Sequence, residues 1–190
     1  MTIADESDEN LMGRYGLGDA AAFEILYRRH EMRIWRYLER NVRDRAASEE
    51  LMQEVWFAVA RDAARYQPSA RFTTWLFTIA HNRMIDWTRT NRRLTSLDAI
   101  GYNAECVAPQ LTAAPAASPL GAAMASDQAA AILRAVETLP DEQRQAFLLH
   151  VEGELSVEEV ATLTGSSFET TKSRLRYARM KLRELLREFA

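Results

Sequence analysis

Lys172, Arg176, Arg179, Arg183 and Arg187 recur at intervals of three or four residues near the carboxy terminus. On an α-helix that spacing gathers the cations into one stripe. Such a stripe can neutralise phosphates, and an Arg within it can donate two hydrogen bonds to a guanine edge. A second set lies between Arg65 and Arg93, where Phe72, Trp75, Phe77 and Trp87 are interleaved with Asn82, Arg83, Arg89, Arg92 and Arg93. Rings that stack on unpaired bases, beside cations that hold phosphates, are what single-stranded nucleic acid requires of a protein. Both sets have a plainer reading as well: a solvated charged face on a bundle helix, and aromatic residues in a core. For Trp75 and Phe77 the core is the better assignment.

Nothing in the sequence points to catalysis, a metal or a cofactor. His30, His81 and His150 stand far apart with no HExxH pairing, and there is no GxSxG, Walker loop or GxGxxG. The single cysteine, Cys106, excludes an intrachain disulfide and a cysteine-cluster metal site, and reads as a free thiol in a loop. The net charge of -3 gives no global attraction to nucleic acid, so any binding must come from local segregation of charge. Segregation is present. No Lys or Arg occurs between Arg93 and Arg134, while cations crowd the segments on either side. No apolar run approaches the roughly 18 residues of a membrane span. The acidic start, MTIADESDEN, lacks the layout of a secretion signal. A cytoplasmic protein without membrane insertion is expected.

The elements that position these residues are all helical. Asp19 can cap a helix with Phe23, Leu26, Tyr27, His30, Ile34, Tyr37 and Leu38 inward, and Arg28, Arg29, Arg33, Arg36 and Arg40 on the remaining surface. Residues 41–47 read as a polar break, after which Ser48 starts a helix with Leu51, Met52, Val55, Trp56, Val59 and Ala63 as its core stripe. Glu49, Glu50, Gln53 and Glu54 occupy the other side. They fit the helix dipole, or they form an acidic docking surface for a basic partner; spacing alone does not choose. Pro68 marks a short loop before a helix over 72–93, in which Phe72, Leu76, Ile79 and Ala80 can pack inward.

Residues 96–125 hold Pro109, Pro115 and Pro119 among Ala, Ser and Thr, and read as a flexible linker. The expected fold is therefore all-α: an acidic tail (1–18), a helical domain (19–95), the linker, and a second helical domain (126–190). In the latter, Ser156 with Glu159 forms a capping box, Thr164-Gly165 stops a short helix, and Ser166 with Glu169 opens a longer one. Phe168, Thr171, Leu175, Ala178, Leu182, Leu185 and Phe189 face its core. This is the helix-turn-helix arrangement for a DNA major groove.

Four segments in order carry a resemblance: AAFEILYRRH, EELMQEVWFAVA, ARFTTWLFTIAHNRMIDWTRTNRR, and LPDEQRQAFLLHVEGELSVEEVATLTGSSFETTKSRLRYARMKL. Together they resemble the extracytoplasmic-function (ECF) sigma factors of the sigma-70 family, over nearly the whole chain. The second segment is similar to the family's D-x-x-Q-E-x-F helix, the third to F-x-T-W-L-x-x-I-A-x-N-x-x-x-D, and the last contains a T-x-K-S-R-L signature. Glu50 replaces the usual Asp, Trp56 the usual Phe, and Ser166-Ser167-Phe168-Glu169 a commoner Pro/Gly cap.

The resemblance implies a region 2-like and a region 4-like domain, and a non-catalytic partner of bacterial core RNA polymerase and promoter DNA. Glu50, Gln53, Glu54 and Trp56 would dock on the β′ clamp helices, and the β flap would be a further contact on the polymerase. Arg65, Phe72, Asn82, Arg83, Asp86, Trp87, Arg89, Arg92 and Arg93 would contact the melted minus-ten element. Thr170, Thr171, Lys172, Ser173, Arg174, Arg176, Tyr177 and Arg179 would read or clamp the minus-thirty-five element. An anti-sigma factor would gate activity. Taken alone, the residues also suit two other proteins. One is a dimeric helix-turn-helix regulator that binds duplex DNA without polymerase; the other is an interaction module whose basic stripes are merely solvated.

Overall fold

The computed structural model describes residues 6–68, 70–98 and 131–187, with 92–98 described as backbone. Among the described residues every regular element is helical: α1 (Asp8–Gly16), α2 (Ala20–Val42), α3 (Arg45–Asp62), a 3₁₀ turn (Ala63–Arg65), α4 (Phe72–Asp98), α5 (131–137), α6 (Asp141–Glu152), α7 (Val157–Thr164) and α8 (Phe168–Leu185). The all-α expectation holds.

The first module packs α1, α2, α3 and α4 around one core. Asp19 caps α2, accepting from the Ala21 amide at 3.1 Å. Leu26, Ile34, Tyr37 and Leu38 are fully buried along its inner stripe. Burial of each such side chain is worth about 1.5–3 kcal/mol. The segment read as an acidic tail is partly α1, with Leu11 and Met12 fully buried. Three apolar residues, Leu11, Met12 and Tyr15, on a nine-residue helix are too few to show a repeating period in sequence. Glu9 on α1 then accepts from the Phe72 amide at 2.8 Å, which caps α4 from another helix. α3 also begins earlier than expected. Asp44, not Ser48, is its N-cap and accepts from Ala47, while the Ser48 hydroxyl donates to the Asp44 carbonyl.

The second module contains α5 to α8. The predicted capping box at α7 is complete: Ser156 Oγ accepts from Glu159 N at 3.1 Å, and Glu159 Oε2 accepts from Ser156 N at 2.7 Å. Gly165 closes α7 at φ 62°, where a Cβ is disfavoured. Ser167 rather than Ser166 caps α8, accepting from Thr170 N at 3.1 Å. Ser166 Oγ instead hydrogen-bonds the hydroxyls of Thr164 and Thr171.

The two modules touch through α2 with α6 and α4 with α7. Arg33, Arg36 and Arg40, expected on the free surface of α2, meet the carboxy-terminal end of α6 there. Gly153 sits close beneath the Phe77 ring; a Cβ on it would lie 3.2 Å from Phe77 Cγ. Helix α4 runs to Asp98, past the expected linker start at 96. The remainder of the predicted linker, Cys106 and Phe189 lie outside the described residues.

Candidate nucleic-acid interface

Three surfaces emerge, each held by the packing above. On α8, Thr171, Leu175, Ala178 and Leu182 are buried against α6 and α7. That orientation turns Lys172, Arg176, Arg179 and Arg183 outward, where with Val157, Leu175 and Met180 they line a shallow cleft of ≈ 480 Å³. The Arg176 guanidinium lies 5.0 Å from the centre of the Tyr177 ring, and Lys172 Nζ lies 5.8 Å from that of Phe168. Arg179 contacts His150 Nε2 at 2.7 Å, and Arg174 is drawn aside to Glu142. Thr170 is exposed and Ser173 half-buried beside this stripe.

Thr171 does not belong with the readers. It is 0% exposed, and its hydroxyl is engaged 2.7 Å from Ser166 Oγ, so it fixes the turn rather than facing a base. Sequence periodicity had placed it on the core face as well, and the packing selects that role. Phe168 departs the other way. It opens α8 half-exposed instead of joining the core.

On α4, Asn82, Asp86 and Arg89 are exposed on one side with Arg83 half-buried among them. Arg89 lies 3.8 Å from Asp86. Arg65 is exposed at the 3₁₀ turn. Trp87 is half-buried and packs against the core. Arg92 and Arg93 fall on the α4 backbone, with their side chains outside the described residues. Phe72 is corrected: at 0% exposure, flanked by His30, Tyr66 and Trp75 at ring separations of 5.4 to 6.2 Å, it cannot receive a base. Trp75 packs half-buried on the same core, and Phe77 is fully buried.

On α3, Glu49, Glu50, Gln53 and Glu54 are all exposed, and Glu54 reaches Arg83 of α4 at 3.9 Å. Trp56 is also corrected. It is 6% exposed, packed edge-on to Phe23 with ring centres 5.7 Å apart and against Tyr27 at 4.9 Å. Its neighbour Phe57 is 71% exposed and stands on the acidic face, one turn beyond Gln53 and Glu54. Spacing could have found it, because positions 50, 53, 54 and 57 share one helical face.

Hydrogen bonding tunes two carboxylates near these surfaces. Burial works to raise the pKa of Glu159, but hydrogen bonds from Thr74 and Ser156 outweigh it and hold the carboxyl below its usual range. Asp8, on α1, follows the same logic: burial raises it, and hydrogen bonds with His30 and Arg29 bring it down. Among the described residues no group of His, Cys, Asp and Glu could hold a metal ion, and no helix is long and apolar enough to cross a membrane.

A helix-turn-helix with an outward cationic stripe, joined to a helix carrying amides and cations, is a nucleic-acid-binding arrangement, and known proteins share it. Residues 26–94 match the family profile Sigma-70 region 2, and residues 129–182 match Sigma-70, region 4. The chain is 35% identical over 178 residues to the RNA polymerase sigma factor CarQ of Myxococcus xanthus, across 93% of this chain and 96% of that protein. It is 31% identical over 177 residues to the ECF RNA polymerase sigma factor SigK of Mycobacterium bovis, across 93% and 91%. Two solved structures have the same fold. CnrH in complex with the cytosolic domain of CnrY superposes at a TM-score of 0.64 and 20% identity, over 97% of this chain and 100% of that one. The sigma factor RpoE in complex with the anti-sigma factor NepR from Bartonella quintana gives 0.63 and 20%, over 87% and 96%. The chain belongs to the sigma-70 family as an ECF sigma factor, an initiation factor that binds core RNA polymerase and directs it to promoters.

Proposed function

We propose that the three surfaces divide the work of a sigma factor among them. Glu50, Gln53 and Glu54 dock on core polymerase, with Phe57 in place of Trp56 as the apolar anchor. An exposed aromatic ring within a charged rim is the usual make-up of a binding hot spot. Asn82, Arg83, Asp86 and Arg89 hold the melted minus-ten element, flanked by Arg65, Arg92 and Arg93. Thr170, Lys172, Ser173, Arg176, Tyr177 and Arg179 address the minus-thirty-five element in the major groove. The modules correspond to residues 19–95 and 126–190, with α1 added to the first.

The chain contributes recognition and leaves the chemistry of RNA synthesis to the polymerase in the cytoplasm. The observation that carries this reading is the segregation of an acidic α3 face from the cationic α8 stripe on separate modules. Regulation by an anti-sigma factor is supported by the similar RpoE structure, which was solved with such a partner.

The test is reconstitution. Mixing the protein with bacterial core polymerase and a genomic template pool should give transcript starts that share two spaced upstream motifs. Absence of specific starts, with tight duplex binding by the protein alone, would instead establish an ordinary regulator.

A further inference from the structure

His150 lies outside the cationic stripe of α8 but touches it. The residue is half-buried in the last turn of α6. Its Nδ1 lies 2.7 Å from the Leu155 carbonyl oxygen, and its Nε2 lies 2.7 Å from Arg179 Nη2. The two partners settle where the proton sits. A carbonyl oxygen only accepts and a guanidinium only donates, so Nδ1 carries the hydrogen and Nε2 offers its lone pair. A ring protonated on both nitrogens would set N–H against N–H at Arg179.

This bond joins the turn to the recognition helix. Leu155 is 1% exposed and immediately precedes Ser156, the cap of α7. One ring nitrogen is therefore fixed by the buried connection between α6 and α7, and the other holds a side chain on α8.

Arg179 differs from its neighbours in what orients it. Arg174 is drawn to the Glu142 carboxylate, and Lys172 lies 3.7 Å from that of Glu169. A carboxylate orients a cation but also offsets its charge, which weakens its attraction for phosphate. An imidazole that donates through one nitrogen and accepts through the other bears no net charge. It occupies one of the five guanidinium N–H groups and leaves the full charge and the remaining donors of Arg179 outward. Arg179 stays exposed, in the cleft it shares with Lys172, Arg176 and Arg183.

Its place along α8 decides what Arg179 meets. The residue lies about three turns, roughly 16 Å, beyond Phe168, where the helix begins. The first turns of a recognition helix enter the major groove, which is about 12 Å wide. A side chain that far back stands over the edge of the groove, where the phosphates run.

We propose that His150 is a positioning residue for promoter recognition: its Nε2 holds the Arg179 guanidinium in place to clamp a phosphate at the edge of the upstream element. The proposal deepens the sigma-factor reading of the α8 stripe and rests on it. Pre-ordering removes the rotamer freedom that a long side chain would otherwise lose on binding, a cost of about two- to tenfold in affinity.

The test titrates holoenzyme, assembled with the full chain, against duplexes carrying the upstream motif recovered by transcript-start mapping. Arg179→Ala should weaken binding to the best motif and to its single-base variants alike, and lower the salt slope by about one. His150→Phe keeps the bulk of the ring and removes both nitrogens. It should weaken binding by about two- to tenfold. With Arg179 already replaced by Ala, His150→Phe should cost no further affinity, because the interaction it removes is gone. Nitrogen magnetic resonance on the free, histidine-labelled chain in mildly alkaline solution supplies a second measurement. It should find the His150 proton on Nδ1, and Arg179→Ala should shift the Nε2 resonance.

An undiminished cost of His150→Phe in the Arg179→Ala background would make His150 a prop for the turn and overturn the proposal. So would unchanged DNA binding by His150→Phe, or a His150 proton on Nε2. The nitrogen spectra need neither polymerase nor DNA, whereas failure of the sigma assignment shows as an absence of specific transcript starts.

Discussion

Tyr37 Oη and His81 Nδ1 share a hydrogen bond at 2.8 Å, joining α2 to α4 inside the first module. Burial raises the Tyr37 pKa and keeps the phenol protonated. Burial also pulls the His81 pKa down to about 4.

A pH dependence follows. The unfolded imidazole titrates near 6.5, so between about pH 6.5 and 4 the unfolded chain binds more protons than the folded one. Stability contributed by neutral His81 is complete above pH 6.5 and falls as the solution is acidified toward pH 4. The total is on the order of 3 kcal/mol. Thermal melts across that window should show a slope that His81→Gln reduces; an identical slope in the variant would place the effect elsewhere.

Adjacent positions on α8 should behave differently. Arg176→Ala should weaken binding to the upstream element, by about 1–3 kcal/mol if it reads a base, and leave core polymerase binding intact. Thr171→Val should spare DNA recognition and lower stability by about 1 kcal/mol through loss of its bond to Ser166. Duplex titrations of holoenzyme alongside urea melts separate the two. Equal loss of DNA binding in both variants would contradict the burial of Thr171.

On α3 the neighbouring aromatics should also split. Phe57→Ala, or reversal of charge at Glu50 and Glu54, should weaken core polymerase binding with little change in melting temperature. Trp56→Ala should cost about 3–5 kcal/mol of stability, since it empties a packed site against Phe23 and Tyr27. Pull-down with core polymerase and calorimetry supply the readouts. A stable Trp56→Ala protein with impaired docking would return that ring to the surface.

Gly153→Ala tests the turn beneath Phe77. An added Cβ would stand 2.5 Å from the Leu149 carbonyl oxygen, a backbone atom that cannot swing aside, and would collide with Leu155 Cδ1. A loss of about 1–3 kcal/mol is expected from overpacking. Denaturant unfolding measures it, and a neutral result would mean that α6 ends differently in solution.

Local grammar was the legible part of this chain. The Asp19 cap, the Ser156 and Glu159 box and the Gly165 stop each follow from a few adjacent residues, and the structure forms all three. Burial was less legible wherever one residue suited two faces. Trp56 and Thr171 each satisfied a core stripe and a family motif, and only packing against Phe23 or Ser166 separates those roles. Ser166 and Ser167 are equally good caps, and the one that fits depends on how Gly165 directs the chain. The junction of modules had no sequence signature. Arg33, Arg36 and Arg40 have the spacing of a solvated stripe, and their partner lies more than a hundred residues away.

The cap that Glu9 places on α4 bears on where the first module can be cut. The matching family profile starts at residue 26, inside α2. A fragment begun there would lose Leu11 and Met12 from the core, the Asp19 cap and the acceptor for the Phe72 amide. It would expose apolar surface on the unit that carries α4, and would tend to self-associate. A soluble excised module should therefore keep Ser7 as its first capping residue; the evolutionary boundary and the mechanical one differ here by nearly twenty residues.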